Sequence, residues 1–161
     1  MTPAQALASD VLERAKVRGV MVALAESCTG GLVSAALTDL AGSSAVMDRG
    51  FVTYTNDAKQ DLLGVKAATL DAHGAVSAQT AREMADGALA RSQAGVAVSI
   101  TGVAGPGGGT AAKPVGLVWF ALAQAGRDTR TVERRFGEVG RAKVRALSVE
   151  TALTLLRDAL G

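Results

Sequence analysis

Apolar residues at Leu7, Val11, Leu12 and Ala15 recur at helical spacing, so a helix is predicted over 4–17. Gly19 ends it, with Lys16 and Arg18 in a last turn where cations are favoured. The unbroken apolar run from Val20 to Ala25 predicts a buried first strand, and the spacing from Thr29 or Gly30 to Leu40 a second helix, which Gly42-Ser43-Ser44 interrupts. Phe51 to Tyr54 reads as a second strand. Asn56 is a candidate cap for a short helix reaching Leu63, which Gly64 stops. A further short helix spans Lys66 to His73 and closes at Gly74. Ser77 opens a longer one to about Ser92, with Thr80, Ala81, Met84, Ala85 and Leu89 near one face. Val96 to Ile100 is the kind of continuous apolar strand that is covered on both sides. A glycine-rich loop follows, Thr101 to Gly109, reaching Lys113-Pro114. Val115 to Ala123 is another strand, and Thr129 to Phe136, beyond the turn at Gly126, is its antiparallel neighbour. Arg141 to Leu160 is a final helix, with Val144, Leu147, Val149, Leu153 and Leu156 as candidates for burial.

The order α β α β α α α β β β α predicts one mixed sheet with helices on both faces, an α/β architecture in a single domain over residues 1–161. Strong strands on either side of the glycine-rich loop argue for a site loop on a rigid scaffold and against a linker. Aromatic residues are only 3% of the chain, so the core must be built from Ala, Val and Leu, which suits closely packed helices. The net charge of +2 argues against a nucleic-acid partner. A single cysteine excludes an internal disulfide and disfavours a cysteine-based metal site. The polar N-terminus is unlike a signal peptide, and no apolar run approaches the roughly 20 residues of a membrane span. The expectation is a soluble, cytoplasmic protein without a membrane partner.

Candidate chemistry centres on Ala25-Glu26-Ser27-Cys28-Thr29-Gly30-Gly31. A small-residue, hydroxyl-rich turn between strand and helix predicts unpaired amides at the mouth of a sheet, where α/β proteins bind ligands. It is neither a G-x-S-x-G elbow nor a Walker A loop. Local chemistry therefore indicates an anion or oxyanion site and leaves the nucleophile open among Ser27, Cys28 and Thr29. The only histidine, His73, reads better as a helix-end residue than as a base. A desolvated lysine can serve instead. Lys59 is the best placed, near the start of the helix after the second strand, with Tyr54 five residues earlier as a possible proton donor; a surface lysine pairing with Asp57 or Asp61 is the alternative. The glycines at 102, 105, 107, 108 and 109 let backbone approach an anionic ligand, or make a flexible lid. Residues 113–161 hold nine Lys/Arg against five Asp/Glu, the excess including Arg127, Arg130, Arg134, Arg135, Arg141, Lys143 and Arg145. One or two of these arginines could hold a phosphate.

Ala25 to Gly31, Ala41-Gly42-Ser43-Ser44, Arg49 to Asn56 with Lys59 and Gly64-Val65, His73 to Ser77, Ser99 to Pro106 and Lys113 to Gly116 together resemble, in order, the CinA C-terminal domain family. The resemblance runs from about residue 7 to residue 157. Members of that family include bacterial nicotinamide-nucleotide amidohydrolases. The resemblance implies a three-layer α/β/α sandwich with a mixed, mostly parallel sheet, no metal or other cofactor, and a homo-oligomer, dimer or higher. It implies hydrolysis of nicotinamide mononucleotide, a small nucleotide substrate, to nicotinic acid mononucleotide and ammonia. The positions matching the family's serine, lysine and tyrosine are Ser27, Lys59 and Tyr54. On that reading Thr29, Gly30 or Gly31 supplies oxyanion donors, Gly102 and Gly105 cradle the ribose phosphate, and Glu26 or Thr101 contacts the nucleotide. The family's tail carries Gly-Asp-Arg, whereas Gly137-Glu138-Val139-Gly140-Arg141 keeps the arginine without the aspartate, so Arg141 is a candidate on weaker ground. A catalytically silent nucleotide-binding module is the alternative function, and retention of Ser27, Tyr54 and Lys59 together favours the enzyme. A DNA-associated role is disfavoured by the near-neutral charge and scarce aromatics.

Overall fold

The computed structural model describes residues 1–161. Six helices and five strands follow one another along it: α1 Pro3–Arg18, β1 Val22–Glu26, α2 Leu32–Thr38, β2 Met47–Val52, α3 Asn56–Leu63, α4 Ala67–His73, α5 Ala78–Ala90, β3 Val96–Gly102, β4 Leu117–Gln124, β5 Arg130–Arg135 and α6 Arg141–Leu160. The strands form one mixed sheet in the order β2-β1-β3-β4-β5. β1 pairs in parallel with β2 and β3, while β4 runs antiparallel to both β3 and β5. Four of the five strands thus point the same way, and only β4 is reversed.

Period-2 alternation sorts the two faces. Val22 and Leu24, Val96, Val98 and Ile100, and Val118, Phe120 and Leu122 point into the larger core, against α1, α2 and α6. The intervening positions are mostly small: Ala23, Ala25, Ala97, Ala121 and Ala123 face α3, α4 and α5, with Trp119 the large exception on β4. Ser99 joins them by donating its hydroxyl to the Ala81 carbonyl of α5 at 2.6 Å. Large residues on one face and alanines on the other give a three-layer α/β/α sandwich whose α5 layer lies close to the sheet. No helix is long and apolar enough to cross a membrane.

Several boundaries differ from the sequence expectation, each for a local reason. Val20 belongs to the end of α1: its amide bonds the Ala15 carbonyl while Gly19, at φ 65°, bonds that of Lys16. This Schellman closure delays β1 to Val22. α2 cannot begin at Thr29 or Gly30, because Gly30 and Gly31 sit at φ 58° and 108°. A 3-10 turn at Ser43–Ala45 precedes β2, which starts earlier than Phe51 and includes the polar Asp48 and Arg49. β2 is an edge strand, so polar side chains there remain in solvent. Thr55, not Asn56, caps α3, its Oγ1 accepting from the Ala58 amide at 3.0 Å.

Candidate active site

The loops leaving β1 and β2 diverge, one to α2 on the large-core face and the other to α3 on the alanine face. A crevice opens where they part, outside the carboxyl ends of the strands. It encloses about 300 Å³ and is lined by Ser27, Cys28, Tyr54, Lys59, Ala75, Val76, residues 101–105, Gly107, Gly108 and Arg141. That volume is at the small end of the range for ligand sites.

Lys59 is the most deeply buried ionisable side chain lining the crevice. It is the fourth residue of α3, and with 1% of its surface exposed it is the largest fully buried side chain. The surface lysine paired to Asp57 or Asp61 is therefore not what forms. Its Nζ lies 3.1 Å from Ser27 Oγ, 2.9 Å from the Thr53 carbonyl and 3.2 Å from the Tyr54 carbonyl. Burial holds its pKa below the ordinary lysine range. A neutral amine has two hydrogens and one lone pair. In that form, with the two carbonyls accepting the hydrogens, the lone pair would face the Ser27 hydroxyl.

The neighbouring thiol behaves oppositely. Cys28 is buried, and desolvation pushes its pKa up to about 11. Since the thiolate is the nucleophile, a thiol so protonated at neutral pH is inert. Thr29 is also removed from the set of nucleophiles, because it is wholly buried and its hydroxyl donates to Glu26 Oε1 at 2.7 Å.

Glu26 itself does not face the crevice. Its carboxylate, 0% exposed, accepts from the Thr29 and Ser34 hydroxyls and from the amides of Gly31, Val33 and Ser34. A charge this deep is tolerable because five donors and the positive end of α2 surround it. The start of α2, expected to offer amides to a ligand, is filled from inside the protein. Glu26 and Thr29 thus build the turn and cannot contact a nucleotide through their side chains. The Gly30 amide is also spent, on the Ser27 carbonyl at 3.0 Å. The amides of Cys28 and Thr29 donate to no protein acceptor.

The remaining candidates surround the opening. Thr101, 1% exposed, donates to the Ala75 carbonyl at 2.8 Å and pins the α4–α5 loop as one wall. Lys113, from the glycine-rich loop, donates to the His73 carbonyl and ties the same wall from outside. Gly102 has no room for a side chain, since a Cβ there would lie 2.7 Å from Val118 and 2.8 Å from the Leu117 carbonyl. Gly105, at φ 81°, offers its carbonyl to Arg141 at 2.9 Å. The other arm of that guanidinium donates to the Tyr54 phenol at 3.0 Å. Tyr54 is 57% exposed, and its phenol bonds neither Lys59 nor Ser27; its backbone carbonyl is what reaches the lysine. Arg145 was visible in the sequence only as part of a basic excess. It donates to the Cys28 and Thr29 carbonyls at 3.1 and 3.3 Å. The usable signal was its spacing from Arg141, since residues four apart share a helix face. No group of three or more His, Cys, Asp or Glu side chains comes together that could hold a metal ion.

Comparison with known proteins places this geometry in a family. The CinA C-terminal domain pattern matches residues 4–160. The nicotinamide-nucleotide amidohydrolase PncC of Enterobacter agglomerans is 53% identical, with 86% of each chain covered. PncC of Escherichia coli K12 is 56% identical over 74% of this chain and 72% of its own. Among solved structures, a competence/damage-inducible protein from Agrobacterium tumefaciens superposes with a TM-score of 0.96 at 54% identity, covering 99% of this chain and 96% of its own. The chain belongs to the CinA C-terminal domain family.

Proposed function

We propose that this chain is an amidohydrolase that converts nicotinamide mononucleotide to nicotinic acid mononucleotide and ammonia, with Ser27 as nucleophile and Lys59 as base. The observation that carries the residue assignment is the buried Lys59 amine, 3.1 Å from Ser27 Oγ and within hydrogen-bond distance of the Thr53 and Tyr54 carbonyls. The choice of substrate is supported by the 53% and 56% identical relatives named as nicotinamide-nucleotide amidohydrolases.

An amide resists attack, so the site needs a nucleophile, a base and donors for the developing oxyanion. Ser27 Oγ bonds to the carboxamide carbon as its proton passes to Lys59 Nζ, and the carbonyl π pair moves onto oxygen. The amides of Cys28 and Thr29, free of protein partners, receive that oxyanion. Collapse of the adduct breaks the C–N bond, and Lys59 returns the proton to the departing ammonia. Water then attacks the acyl-serine, giving up a proton to Lys59, which hands it to Ser27 as the ester bond breaks. A positioned base accounts for about 10²–10⁴ in rate and each oxyanion donor for about 10²–10³. Arg141 and the backbone at Gly102, Gly105, Gly107 and Gly108 hold the ribose phosphate, and Tyr54 is a partner of Arg141 and not a proton relay. Arg141 bonds the Gly105 carbonyl and the Tyr54 phenol across the opening, so its charge is aimed at the crevice.

Ammonia release from nicotinamide mononucleotide tests the reading. Ser27→Ala and Lys59→Ala should each lose at least about 10³-fold in kcat. Cys28→Ala should stay within about 2-fold of wild type, because an inert thiol contributes only packing. A wild type that releases no ammonia overturns the activity, and a fully active Lys59→Ala overturns the base.

A further inference from the structure

The turn after Ser27 is held from α6 by one side chain. Arg145 Nε donates to the Cys28 carbonyl at 3.1 Å, and an Nη donates to the Thr29 carbonyl at 3.3 Å. The same Nη would lie 3.5 Å from a Cβ placed on Gly30, so the guanidinium lies against the turn. The only cis peptide is Gly105–Pro106. Across each trans peptide, the carbonyl and the next residue's N–H point in opposite directions. Holding the Cys28 carbonyl towards α6 therefore turns the Thr29 amide away from it. The Thr29 carbonyl is shared, since it also accepts from the Leu32 amide at 3.0 Å, and the Gly30 amide opposite it bonds the Ser27 carbonyl at 3.0 Å. The Ser27 carbonyl, so fixed, sets the direction of the Cys28 amide. The Thr29 amide is thus oriented through one guanidinium, the only donor to the Cys28 carbonyl, and it follows the nucleophile by two residues.

We infer that Arg145 is a positioning residue for the reaction at Ser27, fixing the Cys28–Thr29 peptide group so that the Thr29 amide meets the oxyanion. The inference rests on the assignment of Ser27 as nucleophile. Arginine suits the task because its rigid fork spans two adjacent carbonyls, which a lysine ammonium on a flexible stem does not. α6 brings Arg141 to the crevice and Arg145, one turn later, to the turn behind it. Four residues is the spacing that puts both on one side of a helix.

The experiment combines steady-state ammonia release from nicotinamide mononucleotide with labelling of Ser27 by a fluorophosphonate. In the labelling, Oγ bonds phosphorus, fluoride leaves, and Lys59 takes the proton. A misaimed donor should cost less than an absent one, about 10–100-fold. Arg145→Ala should lower kcat by that factor with KM within about 3-fold, and Ser27 should still label to full stoichiometry, only more slowly by a similar factor. Arg145→Lys keeps charge and stem but should recover little of the rate, and it carries the test should the alanine variant not fold. Lys143→Ala, on the same helix, is the control and should match wild type. A wild-type rate constant in the Arg145 variants overturns the inference. So does a reduced labelled fraction reacting at the wild-type rate constant, the mark of a merely structural role. If wild type labels at Ser27 yet releases no ammonia, the nucleotide reading fails, and the labelling series still decides the role of Arg145. If Ser27 does not label at all, the inference falls with the nucleophile.

Discussion

At the scale of single residues, the burial of Lys59, the proposed base, carries a stability cost with a definite sign. Its folded pKa lies below the ordinary value of about 10.4 because burial disfavours the ammonium. Between the folded pKa and about 10.4 the unfolded chain binds a proton that the native state does not, so stability rises with pH across that window and is lowest below it. Lys59→Met removes the group that titrates. The variant should melt higher than wild type near neutral pH, by about 2–4 °C for a gain on the order of 1 kcal/mol, with the difference shrinking towards pH 10. In wild type, kcat/KM should rise with pH through the folded pKa of Lys59, because only the neutral amine accepts a proton. Paired melts and rate profiles from pH 6 to 10 check both; a Lys59→Met protein that melts lower at pH 7 would refute the desolvation argument. Burial of this kind is not written in the local sequence, where Lys59 lies between Asp57 and Asp61 and looks solvated. The family resemblance selected it, as it selected Ser27 from three possible nucleophiles. Glu26 was misread for a related reason. A carboxylate beside a turn is visible in the sequence, but the hydroxyls and amides that fold back onto it from Thr29, Gly31, Val33 and Ser34 are not.

At the scale of elements, the alanine face of the sheet lets α5 stand close to it, and α3, packed on α5, carries Lys59 to Ser27. The alternation of large and small residues on β1, β3 and β4 was readable, and so the layering was too. Element ends were less so, because caps such as the Val20–Ala15 bond and the left-handed glycines at 30 and 31 take residues out of periodic runs. Gly87 marks the tightest approach. A Cβ there would sit 2.0 Å from the Leu63 carbonyl oxygen and 2.9 Å from its carbon, both backbone atoms of α3. Gly→Ala inside a helix ordinarily stabilises by about 1 kcal/mol. Here overpacking against a main chain that cannot rotate aside takes the upper part of the usual range, about 2–3 kcal/mol, and outweighs the propensity gain. Gly87→Ala should therefore lower Tm, by roughly 2–8 °C. Because α3 also carries Lys59, relieving the clash shifts the base from Ser27 and should reduce kcat as well. Thermal melts and ammonia release on the same preparation read both effects, and a raised Tm would mean that α3 and α5 separate freely.

At the scale of the whole molecule, the crevice is assembled from parts distant in the chain. Ser27 stands at the end of β1, Lys59 on α3, Thr101 at the end of β3, and Arg141 at the start of α6. Each belongs to an element that also fills a core: β1, β3 and α6 share the larger cluster, and α3 closes the smaller one through Leu63. A ligand that bridges these four parts binds only when all of them are folded together, so its binding energy adds to global stability and not to one loop alone. For a ligand that binds only the native state, the gain is RT ln(1 + [L]/Kd), about 2.7 kcal/mol at 100-fold excess over Kd. At about 2–4 °C per kcal/mol, nicotinic acid mononucleotide at that excess should raise Tm by about 5–11 °C. The nucleoside without its phosphate, at the same concentration, should raise it less, because the proposed contacts of Arg141 and the glycine-rich loop go unmade. The same comparison in Arg141→Ala should abolish most of the difference between the two ligands. Equal shifts from nucleotide and nucleoside in wild type would remove Arg141 and the loop from phosphate binding. No shift from either would mean that the product does not bind this crevice.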